Sequence, residues 1–115
     1  MNSRIQKVTF ATQELREAYQ NLKSGKFEDK VLAFHIQTAM GKLQSNPLYG
    51  VIIPKKLWPN TYLIKFQINN LRKCNLPDGW RLVYTLRGNK IEIVSVLLEW
   101  FNHHEYEKRF GYRHS

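Results

Sequence analysis

Metal-free cleavage of RNA needs three things: a base for the attacking 2′-hydroxyl, cations on the charged phosphate, and an acid for the leaving oxygen. Lys73, Arg81 and Arg87, together with His103, His104 and Tyr106, contain every one of these side-chain types. Arg81 stands out, because strand alternation fixes its direction and a lone mid-strand arginine invites a phosphate. Other chemistries fare worse. His103, His104 and Glu105 are adjacent, but successive helical residues point about 100° apart, so they cannot share one metal ion. There is no His-x-x-x-His spacing, and Cys74 is the single cysteine, which excludes a multi-cysteine zinc site and an intramolecular disulfide. Nothing near Cys74 resembles a nucleophile elbow, and the six glycines are scattered singly, so no phosphate-cradling loop exists. No metal and no cofactor is expected. Structural roles compete for the same residues. Tyr106 follows Phe101 and Asn102 at the spacing of a hydrophobic staple, His103 and His104 could be plain first-turn residues, and His35 beside an apolar helix stripe reads as a packing histidine.

The charge distribution favours a polyanion as partner. Among 115 residues, 18 Lys and Arg face 9 Asp and Glu, a formal excess of +9, which suits nucleic acid or an acidic protein. Residues 55–90 hold eight basic side chains (Lys55, Lys56, Lys65, Arg72, Lys73, Arg81, Arg87 and Lys90) against Asp78 alone. Trp58, Tyr62, Phe66, Trp80 and Tyr84 are interleaved with them, and cations with aromatics are the pairing used by single-strand and RNA binders. Lys55, Lys56, Arg72 and Arg87 are therefore the expected RNA-binding cations. The length suits one domain, and 43% hydrophobic residues suffice for a core. No apolar run reaches the roughly 20 residues of a membrane span, the N-terminus has no signal-peptide core, and one cysteine fits a reducing cytoplasm.

Elements able to position these residues follow from periodicity. Residues 4–10 alternate loosely and predict a strand. Thr12 predicts an N-cap, with Leu15, Ala18, Tyr19 and Leu22 as the apolar stripe of a first helix that Ser24-Gly25 ends. A second helix is expected over about 27–44, with Leu32, Ile36, Ala39 and Leu43 inward, stopped at Asn46-Pro47. An irregular stretch follows, in which Pro59 opens a short helix through Phe66. Strands are expected at 71–76, at 80–87 and over the apolar run 90–98, joined by Pro77-Asp78-Gly79 and by a two-residue turn at Gly88-Asn89. Residue 80–87 alternation places Arg81, Thr85 and Arg87 opposite Trp80, Leu82 and Tyr84. Asn102 caps a last helix, with Glu105 placed to close a capping box. The order β-α-α-β-β-β-α defines one α+β domain over 1–115, two N-terminal helices packed on a mainly antiparallel sheet.

Two segments carry a family likeness. The run Asn70-Leu71-Arg72-Lys73-Cys74-Asn75-Leu76-Pro77-Asp78-Gly79-Trp80-Arg81-Leu82-Val83-Tyr84 resembles the lysine-bearing strand and the Gly-aromatic-Arg-Leu-x-Tyr strand of the RelE/ParE toxin superfamily. The ending Glu99-Trp100-Phe101-Asn102-His103-His104-Glu105-Tyr106-Glu107-Lys108 is similar to the His-x-x-Tyr-x-Lys tail of RelE-like and HigB-like members. The resemblance implies a type II toxin that cuts mRNA in the ribosomal A site and is held inactive by a cognate antitoxin, as a homodimer or a toxin–antitoxin heterotetramer. It implies that Arg81 contacts the phosphate, that Lys73 and then Arg72 bind RNA and transfer protons, and that Tyr106 packs on a base or assists catalysis. RelE members carry an arginine near the end of the last strand, where this chain reads Leu97-Leu98-Glu99. Two other functions remain open: a ParE-like topoisomerase inhibitor, and a catalytically degenerate basic module that binds RNA or protein.

Overall fold

A computed structural model describes residues 4–111 of the chain. Its centre is a five-stranded sheet in the order β1-β5-β4-β3-β2. The strands are β1 (Ile5–Phe10), β2 (Val51–Ile52), β3 (Arg72–Asn75), β4 (Arg81–Gly88) and β5 (Glu92–Phe101). Neighbours are antiparallel except β1, which runs parallel to β5. Four helices cover the sheet: α1 (Gln13–Lys23), α2 (Phe27–Ser45), α3 (Asn60–Lys65) and α4 (His103–Phe110). The α+β architecture is thus the one read from the sequence. No helix among the described residues is long and apolar enough to cross a membrane.

Local signals act as expected at the helix starts. Thr12 Oγ1 accepts from the Leu15 N–H (3.1 Å), and Asn102 Oδ1 accepts from the Glu105 N–H (2.8 Å), satisfying donors that a helix start would otherwise leave orphaned. The reciprocal Glu105 bond of a full capping box is absent. Residues 80–87 alternate as predicted, but the strand is covered on both faces rather than one. Leu82 and Tyr84 meet α1 and α2 in one core, whereas Val83 faces a second core built from α3 and α4. Both layers are apolar, so burial stabilises each side of the sheet.

Apart from one-residue shifts at several ends, three features differ from the sequence reading. The 90–98 strand instead spans 92–101, and its hairpin loop has three residues, Asn89–Ile91, not two. Asn89 Oδ1 accepts from the N–H groups of Ile91 (2.8 Å) and Glu92 (3.0 Å), so the asparagine side chain substitutes for a tighter backbone turn. The stretch after Asn46-Pro47 is not wholly irregular. Val51 and Ile52 pair with Lys73 and Arg72 as the edge strand β2. Finally, the β4–β5 register slips between Val83 and Tyr84, which face Glu99 and Leu97, so Leu98 is the extra residue of a β-bulge. Leu98 and Glu99 therefore both lie on the α3/α4 side.

Candidate functional site

The β3–β4 register brings the best sequence candidates together. Lys73 pairs with Val83 and Asn75 with Arg81, so Lys73 and Arg81 emerge on the same face, where α4 crosses the sheet. Lys73 Nζ lies 4.8 Å from the centre of the Tyr106 ring, and Arg81 Cζ lies 6.0 Å from it, within cation–π reach. Tyr106 itself is only 2% exposed and stacks on Phe110 at 4.6 Å. Phe101 also meets Phe110, at 5.9 Å. Core packing thus describes this tyrosine, in the same cluster as Phe101. It is a buried platform under two cations, not a surface ring on which a base could lie.

Electrostatics at the pair suit proton transfer. Partial burial lowers the Lys73 pKa below its usual value, and the positive charge of Arg81 lowers it further. A lysine moved toward neutrality is a better base near physiological pH than an ordinary surface lysine. Arg81 also donates to the Trp80 carbonyl (3.1 Å), which fixes its guanidinium at the strand start.

The histidines flank this cluster. Asn102 follows Phe101, the partner of Arg81, so the first turn of α4 opens at the same end of the sheet. His103 packs against the β3–β4 turn. A Cβ on Gly79, which has φ +80°, would come within 3.0 Å of His103 Cβ, so only glycine suits that position. His103 Nε2 lies 3.1 Å from Glu107 Oε2, and His104 is exposed beside it.

Of the four expected RNA-binding cations, two are already engaged. Arg72 Nη1 donates to the carbonyls of Gly50 (2.7 Å) and Leu48 (3.2 Å), holding the loop ahead of β2. Arg87 Nη2 donates to the Phe66 carbonyl at the end of α3. Lys55 and Lys56 are exposed on a 3₁₀ turn over Lys55–Leu57. The aromatic half of the basic-aromatic pattern is corrected by packing. Tyr62, Phe66 and Tyr84 are core, and Trp58 is half-buried with Nε1 donating to the Ile53 carbonyl (2.9 Å).

Sequence reasoning missed the bracket behind α4. Tyr62 Oη donates to Glu99 Oε1 (2.6 Å), and Arg109 Nη1 approaches the same oxygen at 3.6 Å. Glu99 thereby ties α3 and α4 to β5. Where RelE members carry an arginine, this chain has a carboxylate with a mechanical task. Three separated residues that meet only through the bulge left no periodic signal in the sequence. Among the described residues no group of His, Cys, Asp and Glu could hold a metal ion. Burial pushes the Cys74 thiol up to about 12, which makes it inert as a nucleophile. No family model, curated protein or solved structure matches the chain.

Proposed function

We propose that this chain is a RelE-like toxin that cuts mRNA in the cytoplasm, by attack of a 2′-hydroxyl on the adjacent phosphate. The observation that carries the reading is the convergence of Lys73 and Arg81 over the Tyr106 ring. Arg81 holds the phosphate and offsets the charge that builds on it. Lys73, with its lowered pKa, serves as base for the 2′-hydroxyl, and His103 or His104 protonates the leaving oxygen. Tyr106 acts as a positioning residue for the two cations. Bond by bond, the 2′-oxygen attacks phosphorus, the P–O5′ bond breaks, and the proton lost at the 2′-oxygen is matched by one delivered to O5′.

The sheet edge supports the reading of a neutralising partner. Val51 and Ile52 are 54% and 63% exposed on a strand that, among the described residues, is paired on one side only, an arrangement that templates an added strand. Residues 30–77 contain no carboxylate, so an acidic, apolar, extended segment of an antitoxin suits this edge. Added there, it would flank β2, the strand that pairs with Lys73 and Arg72.

Induction without an antitoxin, followed by mapping of mRNA ends on ribosomes, tests the function. Frame-dependent cuts lost in Arg81→Ala are expected. Intact messages alongside folded protein would overturn the nuclease and favour the binding-module reading, which the burial of Tyr106 also suits. Arrested replication with translation unaffected would favour topoisomerase inhibition.

A further inference from the structure

The far end of β4 carries a second group of cations that the cleavage site does not use. Arg81 and Arg87 lie on the same face of the strand, six residues apart, or about 20 Å at ~3.3 Å per residue. Around Arg87 lie two open clefts of about 360 and 200 Å³ that share Gln67 and Arg87 as their common wall. Thr85 and Asn69 line the larger and Lys65 the smaller; no carboxylate lines either.

These cations are held in place. Arg87 is tethered by its hydrogen bond to the Phe66 carbonyl, which leaves the rest of the guanidinium fork facing outward. Lys65 Nζ sits 5.2 Å from the centre of the Phe66 ring. Between them Gln67 has φ +50°, a left-handed conformation that costs a non-glycine residue energy and is retained where surrounding structure enforces it. It turns the chain at the point where Gln67 and Arg87 together line both clefts. Lys90 and Arg4, the latter donating to the Asn89 carbonyl at 3.3 Å, add positive potential at the neighbouring hairpin.

We infer that Lys65, Gln67 and Arg87 form a second phosphodiester site, which grips the RNA backbone a few nucleotides from the phosphate at Arg81. The inference rests on the RNA reading above and adds the register of the strand. Arginine forks and lysine ammonium groups supply charge and donors, and Gln67 and Asn69 supply amides for ribose or phosphate oxygens. Tyr62, Phe66 and α4 fill the sheet face between the two ends. The strand therefore crosses over these helices rather than lying on the sheet.

A 12-nucleotide 2′-O-methyl oligouridylate, which cannot be cut, tests the site by fluorescence anisotropy across 50–200 mM salt, a range chosen as roughly where phosphate contacts are lost. Lys65→Gln, an exposed position, should weaken binding about threefold and flatten the salt slope by about 0.7, the value of one phosphate contact on a single strand. Arg87→Lys should do the same, because a single ammonium cannot bond both a carbonyl and a phosphate in the guanidinium's geometry. Lys30→Gln on α2 removes the same charge and should leave the slope unchanged. Equal slopes for Lys65→Gln and Lys30→Gln would overturn the inference. So would equal losses with labelled hexaglutamate, which would mark an acidic-protein surface. The two proposals fail separately. Loss in Lys65→Gln, without any cleavage of natural mRNA, removes the nuclease alone. Loss confined to Lys73→Gln and Arg81→Ala removes the second site alone.

Discussion

Tyr62→Phe and Glu99→Ala remove opposite ends of one hydrogen bond, yet the structure makes their costs unequal. The Tyr62 hydroxyl is in a core residue that is 2% exposed, while the Glu99 side chain is 37% exposed and also faces Arg109. Tyr62→Phe leaves a carboxylate that water and Arg109 can still satisfy, so the loss should be about 1 kcal/mol, near that of an ordinary hydrogen bond. Glu99→Ala strands a buried hydroxyl and frees Arg109, so about 2–3 kcal/mol is expected. For a domain of this size each kcal/mol is worth roughly 4 °C in Tm. Urea unfolding followed by tryptophan fluorescence, with the double mutant to close the cycle, measures both costs and their coupling. Alkaline pH adds an independent reading. Burial first, and then the hydrogen bond to Glu99, raise the Tyr62 pKa above its usual 10. Its folded-state stabilisation is therefore complete below pH 10 and is lost as pH rises above that value. Tyr62→Phe should remove at most about 1.4 kcal/mol per pH unit from the alkaline slope. Equal costs for the two single variants, or an unchanged alkaline slope, would refute the bracket.

Other consequences are as direct. Lys73→Met should abolish cleavage and raise stability by up to about 1 kcal/mol, since a desolvated charge facing Arg81 is replaced by a thioether that still packs on Tyr106. Because the folded pKa of Lys73 is depressed, wild-type stability should gain on the variant as pH rises from that folded value toward 10.5; parallel pH curves would contradict this. Tyr84→Phe should cost about 2–3 kcal/mol by calorimetry, because Tyr84 Oη accepts from the Gly50 N–H (2.9 Å) and donates to the Pro47 carbonyl (2.8 Å), both buried. Cys74 should resist a disulfide reagent at neutral pH in the folded chain and react on addition of urea, given a buried thiol pushed up to about 12; rapid native labelling would show that β3 opens.

Much of this molecule can be read from residue order, because the signals are local. Leu15, Ala18, Tyr19 and Leu22 recur at helical spacing, Thr12 and Asn102 are capping residues by their own chemistry, and alternation over 81–87 puts Arg81 and Arg87 on one face. The α+β order follows from those facts, and the candidacy of Lys73, Arg81 and Tyr106 from their side-chain types and the family resemblance. The tertiary structure decided what each candidate touches. Tyr106 is buried because Phe110 stacks on it within the core beneath α3 and α4, and Arg72 and Arg87 are tethered because carbonyls at Gly50 and Phe66 happen to reach them. Glu99 faces Tyr62 only because the bulge at Leu98 resets the alternation of β5. Period and propensity act over a few residues, whereas these partners lie 22 to 37 residues apart for Arg72–Gly50 and Tyr62–Glu99. Contacts at that separation depend on strand pairing and packing, which no short window of sequence encodes.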